Sequence, residues 1–270
     1  MRFVVEQMFR VLAPGCNAAI HIQQLLSYKV QHGFMGRRDF RGAMIEVFSA
    51  GGFHFSGEFV IPKNPQQAAQ RLNLHSLQFK TGVSRNGCML MPFVNDYVLI
   101  FQKPGEHPCP PKPLYDIRKN PKGWMTTDEW VRDASGIWDT ILEIDILQGA
   151  RGHKEDKHER HVCCLQLEVI RRCIRLWTNP VEIQPDVTVL DPFSGIGSTG
   201  YVCVGGRSHI TKAKLESPRN YIGFELKDSY YAASLDYITR AMKPEQIEGP
   251  TLFDALPACG TTDIAQLSST

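Results

Sequence analysis

Val187-Thr188-Val189-Leu190-Asp191-Pro192-Phe193-Ser194-Gly195-Ile196-Gly197-Ser198-Thr199 constrains the architecture of this chain more than any other segment. The apolar run Val187 to Leu190 ends in an acid, crosses a tight glycine turn and enters a helix at Ser198-Thr199. A strand, glycine turn and helix in this order bring backbone N–H groups and a helix N-terminus to a ligand with little side chain between them. A phosphate site would avoid the fixed negative charge of Asp191. A ligand that carries an ammonium and a sulfonium welcomes it, and S-adenosylmethionine carries both.

The same turn also reads Gly195-x-Gly197-x-x-Gly200, the spacing of a dinucleotide site. In that fingerprint the first glycine follows the strand almost directly, with an acid about twenty residues on. Here Asp-Pro-Phe-Ser intervenes, and the next acid closing a strand pattern is Glu225, in Tyr221-Ile222-Gly223-Phe224-Glu225. Glu225 is placed to accept from ribose hydroxyls with either ligand. The glycines alone leave a methyl donor and a nicotinamide cofactor both open; the leading Asp-Pro-Phe favours the methyl donor.

A chain of 270 residues can bury a full core, as one large domain with an insertion or as two small ones. Its net charge of +2 identifies no partner, so nucleic-acid binding would need local basic surface. Eight cysteines include no Cys-x-x-Cys pair, and Cys163-Cys164 and Cys203 lie inside apolar runs, as reduced buried thiols do. No signal pattern opens the chain and no window is apolar enough to span a membrane. An intracellular, cytoplasmic protein is expected.

Outward from the glycine turn, the spacing predicts an amphipathic helix with Leu167, Ile170, Ile174 and Trp177 on one face, and a last helix from about Lys227 to Met242. A helix over Arg2–Leu12 stops at Ala13-Pro14-Gly15, and strands are expected at Ala18–Ile22, Phe53–Ile61 and Asp96–Gln102. Proline is dense from Lys103 to Tyr115, and Trp124 to Ile146 has a partly helical pattern. Beyond Lys243-Pro244 the composition reads as a mobile tail. Only two strands lie at the glycine-turn end, fewer than a doubly wound sheet needs, so the others must come from the N-terminal half. The order of the halves is then a circular permutation of the usual one.

These segments resemble the DNA amino-methyltransferases that modify N6 of adenine or N4 of cytosine, in the permuted group whose catalytic half comes first. Val189–Thr199 carries the resemblance most specifically, followed by Tyr221-Ile222-Gly223-Phe224-Glu225-Leu226. His161-Val162-Cys163-Cys164-Leu165-Gln166 looks like the family's segment that helps hold the methionine end of the donor. Phe9–Gly15 with Ala18–Ile22, and Asp96–Lys103, look like parts of the catalytic half. The resemblance implies an α/β, doubly wound, Rossmann-like methyltransferase fold, circularly permuted, with an inserted recognition region and incomplete N-terminal strands. It implies S-adenosylmethionine as cofactor and double-stranded DNA as partner. Residues 1–103 would be the remainder of the catalytic half, 104–160 the target-recognition insertion, 161–242 the donor-binding half and 243–270 the tail. Asp191, Pro192, Phe193, Ser194, Gly195, Gly197, Ser198 and Thr199 would line the donor site, and Glu225 would take the ribose.

The family's catalytic signature, a polar residue followed by Pro-Pro and an aromatic, is absent; the only Pro-Pro, Pro110-Pro111, precedes Lys112. An exocyclic base amine is a weak nucleophile, so a side chain and a carbonyl must accept its hydrogens while an aromatic ring stacks on the flipped base. No catalytic residue is therefore assigned. The expectation is the C-terminal part of a site-specific methyltransferase, adenine N6 preferred over cytosine N4, either truncated or paired with a second chain that supplies the loop. The alternatives are a non-catalytic donor- or DNA-binding remnant and a nicotinamide-dependent oxidoreductase.

Three further groups of residues have plainer uses beside the functional ones. His153, His158, His161, Cys163 and Cys164 match no zinc spacing, and no metal is expected. Trp124, Trp130 and Trp138 are expected to pack an inserted module rather than touch bases. Arg37, Arg38 and Arg41, and Lys112, Arg118, Lys119 and Lys122, read equally as phosphate contacts or as solvated faces.

Overall fold

The computed structural model describes residues 1–34, 36–65, 95–147 and 164–243, and the elements below are drawn from these. The tail beyond Lys243 and the cluster His153 to Cys163 fall outside them.

The N-terminal half is built on an antiparallel sheet in the order β1 (Asn17–Gln23), β5 (Asp96–Gln102), β4 (His54–Ile61). Asp96 to Gln102 forms the expected strand, with Asp96 opposite Gln23 on one side and Ile61 on the other. Its unbroken apolar run is explained by burial on both faces. Leu99 and Phe101 point into a cluster with Val5 of α1 (Arg2–Val11) and with Met44 and Phe48 of α3 (Phe40–Ala50). Val98 and Ile100 point the other way, towards Trp138 and Val169. Phe48 stacks on Phe101 with centroids 4.3 Å apart, fixing α3 across the sheet.

Helix α3 is not anticipated by the sequence reading, although Asp39 caps it by accepting from the Gly42 amide at 2.9 Å. Nor is the small antiparallel ribbon that precedes it. There β2 (Leu25–Ser27) and β3 (Gly36–Arg38) flank the single-turn helix α2 (Lys29–His32).

The patterned stretch from Trp124 to Ile146 holds one helix, α4 (Thr127–Ala134), opened by a reciprocal capping box between Thr126 and Glu129. The rest is turn and loop because its apolar residues anchor separately. Trp138 is buried, stacks on Phe59 at 4.3 Å and donates from Nε1 to the Asp133 carbonyl at 2.9 Å. Trp124 donates to the Arg175 carbonyl at 3.0 Å. These two tryptophans pack; Trp130 is partly exposed.

Helix α5 (Leu167–Trp177) joins the two halves. Leu167, Ile170 and Ile174 face the glycine-turn unit, while Val169, Cys173, Leu176 and Trp177 face the antiparallel sheet. The expected amphipathic helix is in fact enclosed on its charged side too. Glu168, Arg171, Arg172 and Arg175 are all buried, against Asp133, which is fully enclosed. Arg171 forks onto Glu168 at 2.5 and 2.6 Å, and Arg175 reaches Glu129 at 3.1 Å, Asp133 at 3.4 Å and Glu216 at 3.0 Å. Such a network is tolerated in an interior because nearly every charge is both paired and hydrogen-bonded.

The C-terminal unit runs β6 (Thr188–Asp191), α6 (Ser198–Cys203), β7 (Asn220–Gly223) and α7 (Asp228–Met242). β6 and β7 pair in parallel, with Leu190 opposite Ile222. Val189 and Tyr221 pack into the cluster formed by α5, α6 and α7. Their neighbours on the other face, Leu190 and Ile222, are 38% and 50% exposed.

The strands expected of one doubly wound sheet therefore stand, among the described residues, as three pieces: β1–β5–β4, β2–β3 and β6–β7. β1 pairs only with β5 and β6 only with β7, so each offers a bare edge among the described residues. Parallel strands are ordinarily buried in larger sheets with both faces covered, and a two-stranded parallel pair is the exception.

Candidate functional site

The turn after β6 is organised by the acid that ends it. Asp191 Oδ1 accepts from the Phe193 amide at 3.0 Å, and Oδ2 accepts from Thr199 Oγ1 at 2.6 Å. A single carboxylate thus ties the exit of the strand to the first turn of α6. Asp191 is directed at its own loop, which makes it the organiser of the turn rather than a side chain extended away from it.

The two halves of the unit are then stitched together across the loop. The Phe224 amide donates to the Asp191 carbonyl at 3.0 Å, and the Ser194 amide to the Phe224 carbonyl at 2.9 Å. Ser194 Oγ and the Tyr221 hydroxyl lie 2.7 Å apart, and burial pushes that phenol up to about 12. Glu225, two residues beyond the end of β7, reaches back over the turn. Its Oε2 accepts from the Gly195 amide at 2.8 Å and its Oε1 from the Lys227 amide at 2.9 Å.

Two glycines have distinct parts in this geometry. Gly197 caps α6 with φ +85°, and a Cβ there would meet the Ser234 Cβ of α7 at 2.7 Å. Gly195 has φ +53°, but a Cβ on it would meet nothing within 4 Å. Gly197 thus lets α7 close on the turn, and Gly195 leaves open space above it. Ser198 is buried, whereas Phe193 stands 67% exposed beside that opening.

The sequence-expected residues Asp191 to Thr199 and Glu225 are accordingly gathered around one turn. Sequence reasoning missed Tyr221, which fixes Ser194, and Ser234, against which Gly197 packs. Tyr221 was legible as the residue opposite Val189 in a paired strand; Ser234 carries no signal of its own. Of the expected methionine-end segment, Cys164 to Gln166 are described. Gln166 caps α5 and is buried, and its Oε1 has no hydrogen-bond partner among the described residues.

Among the described residues, no group of three His, Cys, Asp or Glu side chains is arranged to hold a metal, and no helix is long and apolar enough to cross a membrane. Cys203 is buried and Cys173 partly so, and desolvation pushes both thiols up to about 12, which makes them poor nucleophiles.

The space over Gly195, with the Glu225 carboxylate at the Gly195 amide, suits a cationic or hydroxyl-bearing ligand. The Gly195 amide, the donor an anion would need, is already engaged by Glu225.

Residues 1–236 match the sequence profile of the DNA methylase family designated N6_N4_Mtase. No curated protein sequence matches the chain. Among solved structures, the fold resembles a protein from Thermus thermophilus assigned as a DNA modification methylase and solved with S-adenosyl-L-methionine. The TM-score is 0.57 at 18% identity, over 89% of this chain and 76% of that one. A second structure of the same protein gives a TM-score of 0.57 at 18% identity, over 89% and 75% of the two chains. At this identity the likeness speaks to fold, an α/β arrangement of Rossmann-like methyltransferase type.

Proposed function

The chain belongs to the DNA methylase family, and we propose that it serves methyl transfer from S-adenosylmethionine to an exocyclic amine of DNA, adenine N6 in preference to cytosine N4. The observation that carries this reading is the pair of carboxylates, Asp191 and Glu225, closing on one glycine turn that leaves its ligand side open. Bound there, the cofactor supplies an electrophilic methyl group on a sulfonium.

In this reading Asp191 and Thr199 hold the turn in shape, and the backbone from Pro192 to Gly197 lies along the donor. Phe193 provides an apolar face, and Glu225 accepts from the ribose hydroxyls. A carboxylate oxygen has a second lone pair after accepting one N–H, so Glu225 can meet the ribose while keeping its hold on Gly195. A pyrophosphate would meet the Glu225 carboxylate and find the Gly195 amide occupied, which argues against a nicotinamide dinucleotide.

The loop that grips the target base is proposed to come from outside residues 1–270, since these contain no Pro-Pro-aromatic sequence. The edges of β1 and β6 that are bare among the described residues support that placement: a strand laid beside either would satisfy its N–H and C=O groups. A second polypeptide is one source of such a strand. The division into a catalytic remainder over 1–103, a recognition region over 104–160 and a donor-binding half over 161–242, in permuted order, belongs to the same proposal. A second reading, a donor- and DNA-binding subunit without turnover of its own, is favoured by the same missing sequence.

Calorimetry with S-adenosylhomocysteine and with NAD tests the cofactor reading. Binding of the first and none of the second is expected, and the reverse result would overturn the assignment.

A further inference from the structure

The ribbon β2–α2–β3, residues 25–38 (Met35 lies outside the described residues), is a small basic projection with no strand partner beyond itself among the described residues. It carries Lys29, His32, Arg37 and Arg38. The acid beside it, Asp39, is taken up by the α3 cap and by Gln24, whose Nε2 donates to it at 2.9 Å. Arg41, next along, is paired with Glu58. Among the described residues no carboxylate pairs with Lys29, Arg37 or Arg38. Tyr28, Val30 and Phe34 stand out into solvent at 45%, 99% and 52% exposure.

Arg37 is the feature that points to a ligand. Its Nε, Nη1 and Nη2 are all shielded from water, and none has a hydrogen-bond partner among the described residues. A guanidinium has five N–H donors in a planar fork and cannot shed its charge, so leaving it desolvated and unpaired is strongly unfavourable. Burial pushes its pKa down, with the Tyr28 phenol opposing. Ser27 Oγ, on the same ribbon, is likewise buried and unpartnered among the described residues. The missing complement is an anion with several acceptor oxygens. A two-stranded ribbon is the most yielding kind of sheet, and the arginine stem is long enough to carry the fork outward to meet one.

We propose that the 25–38 ribbon is a grip on the DNA backbone, separate from the 104–160 region, in which Arg37 forks onto a duplex phosphate and the exposed Tyr28 and Phe34 rings lie against the sugars and base edges. The proposal rests on the DNA methylase reading above. Basic side chains with no acid partner provide the charge complement of a polyphosphate, and exposed aromatic rings supply contacts that do not depend on salt. Phosphate contacts position a protein without reading sequence, so this ribbon sets affinity and register rather than target choice.

The test uses the whole chain and a fluorescent mixed-sequence duplex, with affinity measured by polarisation across a salt series for wild type, Arg37→Met, Arg37→Lys and Tyr28→Ala/Phe34→Ala. Arg37→Met is expected to weaken binding about tenfold, to lower the slope of log Kd against log salt by about one, and to leave the melting temperature unchanged or raised. Arg37→Lys should restore the slope but only part of the affinity, because it keeps the charge without the fork. The double variant should weaken binding with the slope unchanged. Equal affinity and slope for wild type and Arg37→Met would overturn the proposal. So would a lower melting temperature for Arg37→Met, since the guanidinium would then be supporting the fold. A wild-type chain that binds S-adenosylhomocysteine but no duplex would overturn the DNA reading itself, and this proposal with it.

Discussion

The carboxylate of Glu225 bridges the Gly195 amide at 2.8 Å and the Lys227 amide at 2.9 Å, so the acid after β7 is part of the glycine turn before any ligand arrives. Turn and acid form one unit, and a substitution at Glu225 acts on loop order as well as on ligand contact.

Glu225→Ala is therefore expected to weaken S-adenosylhomocysteine binding by about 1.5–3 kcal/mol, the range for losing a charged acceptor. It should also speed hydrogen exchange of the Gly195 amide in the free protein. Unchanged exchange at Gly195 alongside unchanged affinity would show that the bridge is not formed in solution.

The purified 270-residue chain should transfer no labelled methyl group to mixed-sequence DNA, because the loop that would hold the base amine is not in its sequence. Turnover by the chain alone would place the catalytic residues elsewhere in it.

Among the described residues, strand β1 is bonded on one side only, whereas β5 lies between two partners. In an antiparallel edge strand every second residue points its N–H and C=O away from the neighbour. Hydrogen exchange along Ala18–Ile22 should alternate between slow and fast, with uniformly slow exchange along Val98–Phe101. Uniform protection of β1 in a monomer would contradict a bare edge.

Asp133 sits fully enclosed beside Arg132 at 2.7 Å, Arg172 at 3.4 Å, Arg175 at 3.4 Å and Arg171 at 3.9 Å. Asp133→Ala removes the anion from among buried cations and should cost about 3–5 kcal/mol of stability in urea unfolding. A loss near that of an exposed pair, about 0.5 kcal/mol, would mean that water reaches the arginines.

Burial tends to raise the Glu168 carboxyl, but the hydrogen bonds and charges of Arg171 and Arg172 outweigh it and hold it below its ordinary 4.5. A group depressed on folding contributes stability above its unfolded pKa and loses it as pH falls through the lower folded value. Unfolding midpoints should thus be flat near neutrality and fall on acidification below 4.5. Glu168→Gln should be less stable at neutral pH and show a shallower acid limb. A variant with the same acid limb as wild type would assign that limb to other carboxylates, such as Asp96 and Glu129, which are lowered by their own partners.

Local conformation was legible within single segments. Val187 to Thr199 had to be strand, turn and helix, because an apolar run, an acid and glycines free to take positive φ leave few other conformations. The run from Asp96 to Gln102 likewise had to be a strand buried on both faces. The remainder waits on tertiary contacts, because the same local signals permit several outcomes until neighbours are in place. The charged face of α5, which an amphipathic pattern alone would leave to solvent, is an interior because Asp133, Glu129 and Glu216 arrive from distant segments to neutralise it. Helix α3 was obscured by Gly42 and Gly51 at its ends, and its spacing of Phe40, Met44 and Phe48 gained force only by packing on Phe101. The turn of Glu225 back onto Gly195 depends on β7 lying in register beside β6, a pairing between residues about thirty positions apart. The edges of β1 and β6, bare among the described residues, are of the same kind: whether a strand has a neighbour is a property of the assembled sheet, and no residue within the strand records it.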